Sequence, residues 1–283
     1  MWVEFLKQVE NSLTNRYRRQ LNRCLRRRDA DAVHDLRVES RKLLTWLNLF
    51  RALGLGKTVR PARRQVRRLL HDLAPLRDTQ VVLECLNGVP KSLRADTKSL
   101  RRRWSRESRK LEDRVRRRSG QVSINLVTRC VHRALKALQR MEREGDDSKV
   151  LPGAVVGWFS GLIRQSELAL RHARVDRPAT VHSLRLSLKR VRYGTEALSP
   201  LLYRNGAGFL GQLRRWQALL GEIQDMEMFL GRLEAEVLKY PGRATAIQGL
   251  ARWLRRRREL RLRRLGTRLN RLHALLDGVV LEP

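Results

Sequence analysis

The chain has 283 residues, 42% of them hydrophobic, and carries a formal net charge of +34 with a pI near 11.7. The length and apolar content allow a sizeable core, as two domains or as one domain of two halves. A positive excess this large repels itself unless an anion offsets it, which points to nucleic acid, another phosphate polymer or an anionic surface as partner.

Of the 62 basic residues 52 are Arg, whose planar fork grips phosphate oxygens two at a time. Cys24, Cys85 and Cys130 are far apart and form no C-x-x-C pair, so neither a disulfide framework nor a zinc site is expected. A reducing cytoplasm is the simplest setting for such thiols. The N-terminus lacks the apolar stretch of a signal peptide, and no apolar run of ~18 residues occurs, so no membrane insertion is expected.

Strand signals are nearly absent. Apolar residues recur at three- and four-residue spacing, as amphipathic helices require. Breakers divide the chain into about nine helices joined by short connections, the pattern of antiparallel bundles. The first helix carries a basic row: Arg16, Arg19, Arg23 and Arg26, at i, i+3, i+7 and i+10. After RRRDADAV comes VHDLRVESRKL, which places His34, Arg37 and Arg41 on one face and Leu36, Leu43 and Leu47 on the other. Past GLGKTVRP a third helix repeats the device with Arg60, Arg64, Arg67 and His71, and Asp78 follows late in it. An additional helix is expected over 123–143, followed by the break EGDDSKVLPG at 144–153.

The chain then begins again. Arg164, Arg171 and Arg174 make a row, and 181–198 reads VHSLRLSLKRVRYGTEAL. Here His182, Arg185, Lys189 and Arg192 share one face, against Leu184, Leu188 and Val191. Val33-His34-x-Leu36-Arg37 matches Val181-His182-x-Leu184-Arg185 at an offset of 148. Gln65-Val66-Arg67-Arg68 matches Gln212-Leu213-Arg214-Arg215 at an offset of 147, and Asp78 matches Asp225 at the same step. The expected architecture is therefore all-α: two pseudo-symmetric antiparallel helical bundles from an internal duplication, around a basic central groove or pore. The single domain spans 1–283, with halves at 1–145 and 152–283 and a linker at 144–153.

A basic amphipathic face is usually a solvated one. Ordinary solvated faces mix signs, however, and these rows are nearly of one sign and occur in both halves. Two roles stand open for His34 and His182, as phosphate ligands or as structural residues bonded across helices. Asp78 and Asp225 suit the orienting of Arg or His side chains better than acid–base chemistry. The pairs His34-Asp35 and His71-Asp72 evoke metal-dependent hydrolysis, yet their aspartates have no counterpart at Ser183 and Leu219. No P-loop, H-E-x-x-H or G-x-S-x-G motif occurs, so neither catalysis, metal nor cofactor is expected. Aromatic residues make up only 5% of the chain, sparse for a stacking platform on single-stranded nucleic acid. Duplex nucleic acid stays open as a competing polyanion, since phosphate contacts alone bind it without sequence preference.

The run His182-x-x-Arg185-x-x-x-Lys189-Arg190-x-Arg192-Tyr193, its weaker copy from His34, and the Asp78 and Asp225 segments resemble the CHAD family, the conserved histidine α-helical domain. The resemblance covers both halves. It implies two helical bundles around a basic groove, binding of inorganic polyphosphate and no catalysis, in a cytoplasmic protein that can associate with polyphosphate granules. Carried onto this chain, it implies contacts from His34, Arg37, Arg41 and Lys42, and from His182, Arg185, Lys189, Arg190 and Arg192. Periodicity extends the set to Arg19, Arg23, Arg64, Arg67, Arg171 and Arg214. The first copy has Leu44 where the second has Arg192, and Asn48 where it has Glu196, so unequal contributions are expected.

Overall fold

A computed structural model describes residues 2–27, 29–144, 150–202 and 206–278. Among them no strand occurs, and eleven α-helices account for nearly the whole chain. The first series is α1 (Trp2–Arg27), α2 (Ala30–Phe50), α3 (Gly56–Asp72), α4 (Ala74–Asn87), α5 (Arg94–Gly120) and α6 (Ile124–Glu144). The second is α7 (Val150–Arg171), α8 (Pro178–Leu202), α9 (Gly206–Lys239), α10 (Ala244–Gly266) and α11 (Leu269–Asp277). Of the expected linker, residues 145–149 lie outside the described ones, and 150–153 already belong to α7.

Local chemistry sets the helix ends that matter for the site. Asp29 caps α2, its carboxylate accepting the Ala32 N–H at 2.7 Å. Pro178 occupies the first position of α8, where its missing N–H costs nothing. Between α2 and α3 the chain kinks at residues 51–55, with Gly54 at φ +84°, a left-handed conformation that glycine takes without a Cβ clash. The count exceeds the expected nine partly because α3 and α4 are separated at Leu73, just before Pro75, whose ring removes a helical N–H. In the second series the matching stretch is the unbroken 34-residue α9.

The element order recurs. Two packed helices (α1–α2, α7–α8) lead to a long helical stretch (α3–α4, α9), a short 3₁₀ turn (91–93, 241–243), a long basic helix (α5, α10) and a closing helix (α6, α11). The helix expected as an unmatched addition at 123–143 thus has a shorter counterpart. α6 docks on α1 and α3, and α11 docks on α7.

The buried side chains form two clusters, and both draw on the two series. The larger joins Leu36, Leu43 and Leu47 of α2 and Leu184, Leu188 and Val191 of α8, all fully buried, with residues of α1, α3, α6, α7 and α11. The smaller lies between α4, α5, α9 and α10, around Val82, Leu86, Trp104, Phe229, Leu233 and Leu250. There Trp104 meets Phe229 edge-on at 5.9 Å and donates its indole N–H to Glu236 at 3.0 Å, while Arg103 also bonds Glu236. Arg232 likewise bonds Glu107, a second tie from α9 to α5. The three cysteines are free thiols, two of them buried.

Candidate polyanion site at the α2–α8 junction

The apolar faces of α2 and α8 point into the core, and the two helices also pack on each other. This brings two basic rows within electrostatic reach. Arg37 and Arg41 from α2 meet Arg185, Lys189 and Arg192 from α8. Lys189 records the result: loss of hydration, then the charges of Arg185, Arg41, Arg192 and Arg37, pull its ammonium down to about 7. Burial and Arg41 lower Arg37 to about 10, which leaves it charged at neutral pH. Burial also lowers Arg185, with Asp225 opposing and Arg41 assisting.

Two aspartates flank the cluster. Asp78 on α4 lies in the field of Arg37 and Arg77, and Asp225 on α9 in that of Arg185 and Arg77. Loss of hydration nevertheless raises both carboxyl groups from their ordinary value. Neither forms an ion pair or hydrogen bond among the described residues, so they offset the cations of Arg37 and Arg185 only through their field. Arg37 is held by the Leu70 carbonyl of α3 at 3.2 Å. Arg192 bonds Glu196 at 3.2 Å and lies over the Tyr193 ring at 4.5 Å, a cation–π contact. The Nε atoms of Arg185 and Arg192 are buried and unbonded.

Beside the junction opens a cavity of about 600 Å³, lined by Arg16 of α1, Lys42 and Trp46 of α2, Tyr193 and Glu196 of α8, and Arg214 of α9. Lys42 bonds Glu39 at 3.2 Å, and Arg214 stands 3.8 Å from Glu196. Lys42 and Arg214 here thus have nearby carboxylates, as Arg192 does at the junction, whereas Arg16 bonds the Ser12 hydroxyl at 2.7 Å.

The two histidines differ. His182 Nδ1 is hydrogen-bonded to Gln224 Oε1 on α9. An amide oxygen only accepts, so Nδ1 is the donor in this bond. His182 thus ties α8 to α9. The position matching Gln224 in the first series is Arg77, and partial burial, then Arg77, hold His34 below its ordinary value.

Other expected residues are dispersed. Arg190 bonds Gln165 of α7 at 3.3 Å, away from the row. Arg23 pairs with Asp35 at 2.5 Å. Arg19 lies exposed on α1, Arg67 lies exposed beside Arg63 on α3, and Arg171 ends α7 in solvent. Arg64 lines a separate pocket between α3, α5 and α6. Periodicity overlooked Arg77, Tyr193 and Gln224, although each adjoins a residue it singled out. Among the described residues no group of three or more His, Cys, Asp or Glu is placed to hold a metal ion. No helix of them is long and apolar enough to cross a membrane.

Fold and junction together define an all-helical protein in which two paired helices gather basic side chains between flanking aspartates. The chain belongs to the CHAD domain family, whose model matches residues 11–234. Its structure is similar to the crystal structure of the CHAD domain from the plant Ricinus communis, with a TM-score of 0.73 at 19% identity, over 99% of this chain and 94% of that one. No curated protein matches the sequence.

Proposed function

We propose that the chain binds inorganic polyphosphate without catalysis, as one domain of two duplicated halves (1–145 and 152–283). The observation that carries this reading is the meeting of Arg37, Arg41, Arg185, Lys189 and Arg192 across the α2–α8 junction without direct carboxylate partners for four of them. Assembling such a cluster is unfavourable in the free protein, and closely spaced phosphates would offset the cost. A base-free phosphate chain needs neither stacking surfaces nor groove readout, and the junction provides neither. Membership of the family adds support, because the resemblance drawn above implies polyphosphate as ligand. Asp78 and Asp225 orient Arg37 and Arg185 through their field, and the cavity bearing Lys42 and Arg214 continues the path. A cytoplasmic setting, with association to polyphosphate granules, follows from that ligand.

A second reading, sequence-nonspecific binding of duplex nucleic acid, draws on the many exposed arginines along α5 and α10. Competition separates the two. Long-chain polyphosphate displaces duplex RNA at equal phosphate concentration if the junction is the main site. Displacement in the opposite sense favours nucleic acid.

A further inference from the structure

Two pockets outside the junction form a pair. One, about 480 Å³, lies where α3 meets the end of α5 and the start of α6; the other, about 420 Å³, lies where α9 meets the end of α10 and α11. Both are within the ~300–1,000 Å³ usual for small-ligand sites. Four lining positions correspond at the offset of 147: Gln65 with Gln212, Arg68 with Arg215, Leu69 with Trp216, and Asp72 with Leu219.

Each pocket carries four arginines, of which only Arg68 and Arg215 correspond at that offset. Arg60, Arg64, Arg68 and Arg118 surround the first pocket with Asp72 as its carboxylate. Arg215, Arg264, Arg268 and Arg271 surround the second, and its Glu222 is already bonded by Arg261 at 2.5 Å. None of these eight lining guanidinium groups forms a hydrogen bond or ion pair among the described residues. In the cleft between α5 and α9, by contrast, Arg103 and Arg232 are each bonded to a carboxylate, Glu236 and Glu107. In the first pocket the wall is fixed: Gln65 donates to the Ser123 carbonyl at 3.0 Å and accepts the Ser123 N–H at 3.2 Å. No residue of either pocket is among the charges that act on Arg37, Arg185 or Lys189.

We infer that these two outlying arginine-lined pockets are a matched pair of anion sites, each holding a short oligophosphate independently of the junction. Free guanidinium forks suit phosphate oxygens, and the first pocket has no aromatic residue for base stacking, while the second has only Trp216. The choice of phosphate as ligand rests on the function proposed above; the existence of the sites does not.

Calorimetric titration of the full chain with inorganic triphosphate tests this. The variant Arg64→Ala/Arg68→Ala/Arg215→Ala/Arg268→Ala loses two bound equivalents, and either half of it alone loses one. A charge-matched control on α5, Arg101→Ala/Arg102→Ala/Arg109→Ala/Arg114→Ala, keeps both, as does Arg185→Ala/Lys189→Ala at the junction. Unchanged stoichiometry in the pocket variant, or equal loss in the control, overturns the inference. If the junction variant still binds long chains like the wild type, the junction reading fails while the pocket result stands.

Discussion

Lys189 is the residue on which the site's cost is most visible. With its ammonium held down to about 7 by burial and four cations, it is partly neutral in the free protein at neutral pH. A polyanion drawn alongside restores the charge, so binding takes up a proton. Affinity for polyphosphate is expected to fall as pH rises through 7 to 9, and Lys189→Arg to flatten that dependence; titrations in buffers of different ionisation enthalpy measure the proton directly. The stability sign is opposite. Between about 7 and the ordinary lysine value of 10.5 the unfolded chain keeps a proton that the folded one has lost, so this group makes the free protein more stable as pH rises. Lys189→Met, of similar length and uncharged, should stabilise the free protein by roughly 1–2 kcal/mol in denaturant unfolding while weakening binding. A destabilised Lys189→Met protein would show that the repulsion is already neutralised in the free state.

Helix pairing decides which rows of charge become a site. The buried faces of α2 and α8 were legible in the sequence, because Leu36, Leu43, Leu184 and Leu188 fall at helical spacing. Their mutual packing was not, since periodicity describes one helix and says nothing of which neighbour it meets. Arg190 illustrates the limit: at ~100° per residue it stands roughly 160° round from Arg192, and only the position of α7 shows that it is turned away. The dispersal of Arg19, Arg64 and Arg171 has the same origin. Two substitutions probe the elements that hold the junction. Asp29→Ala removes the α2 cap and should cost about 1 kcal/mol. Gly194 lets α8 approach α7, and a Cβ there meets the fully buried Phe159 ring at 2.9 Å. Gly194→Ala gains ~1 kcal/mol in helix propensity yet should destabilise by about 1–2 kcal/mol net, because the ring has little room to shift. A rise in melting temperature would show that α7 and α8 separate freely.

At the scale of the molecule, two cores shared by both helical series hold together a chain with a net charge of +34. Sequence matching revealed the paired series but not the shared cores, which depend on contacts between segments over 100 residues apart. The Glu236 carboxylate joins α9 to Arg103 and Trp104 of α5, and Glu236→Ala should cost on the order of 3 kcal/mol by leaving buried partners unpaired. Long-chain polyphosphate should raise the melting temperature of the wild type, as any ligand of the folded state does. The central claim is tested most directly by the affinity of wild type and Arg185→Ala/Lys189→Ala for long-chain polyphosphate over a range of salt concentrations. A loss of roughly 10- to 100-fold at moderate salt with unchanged helix content is expected, from two lost phosphate contacts worth about 1 kcal/mol each once salt screens them. The log–log salt slope should also become shallower by about one to two units. Equal affinity and equal slope in the two proteins would contradict the junction as the polyphosphate site.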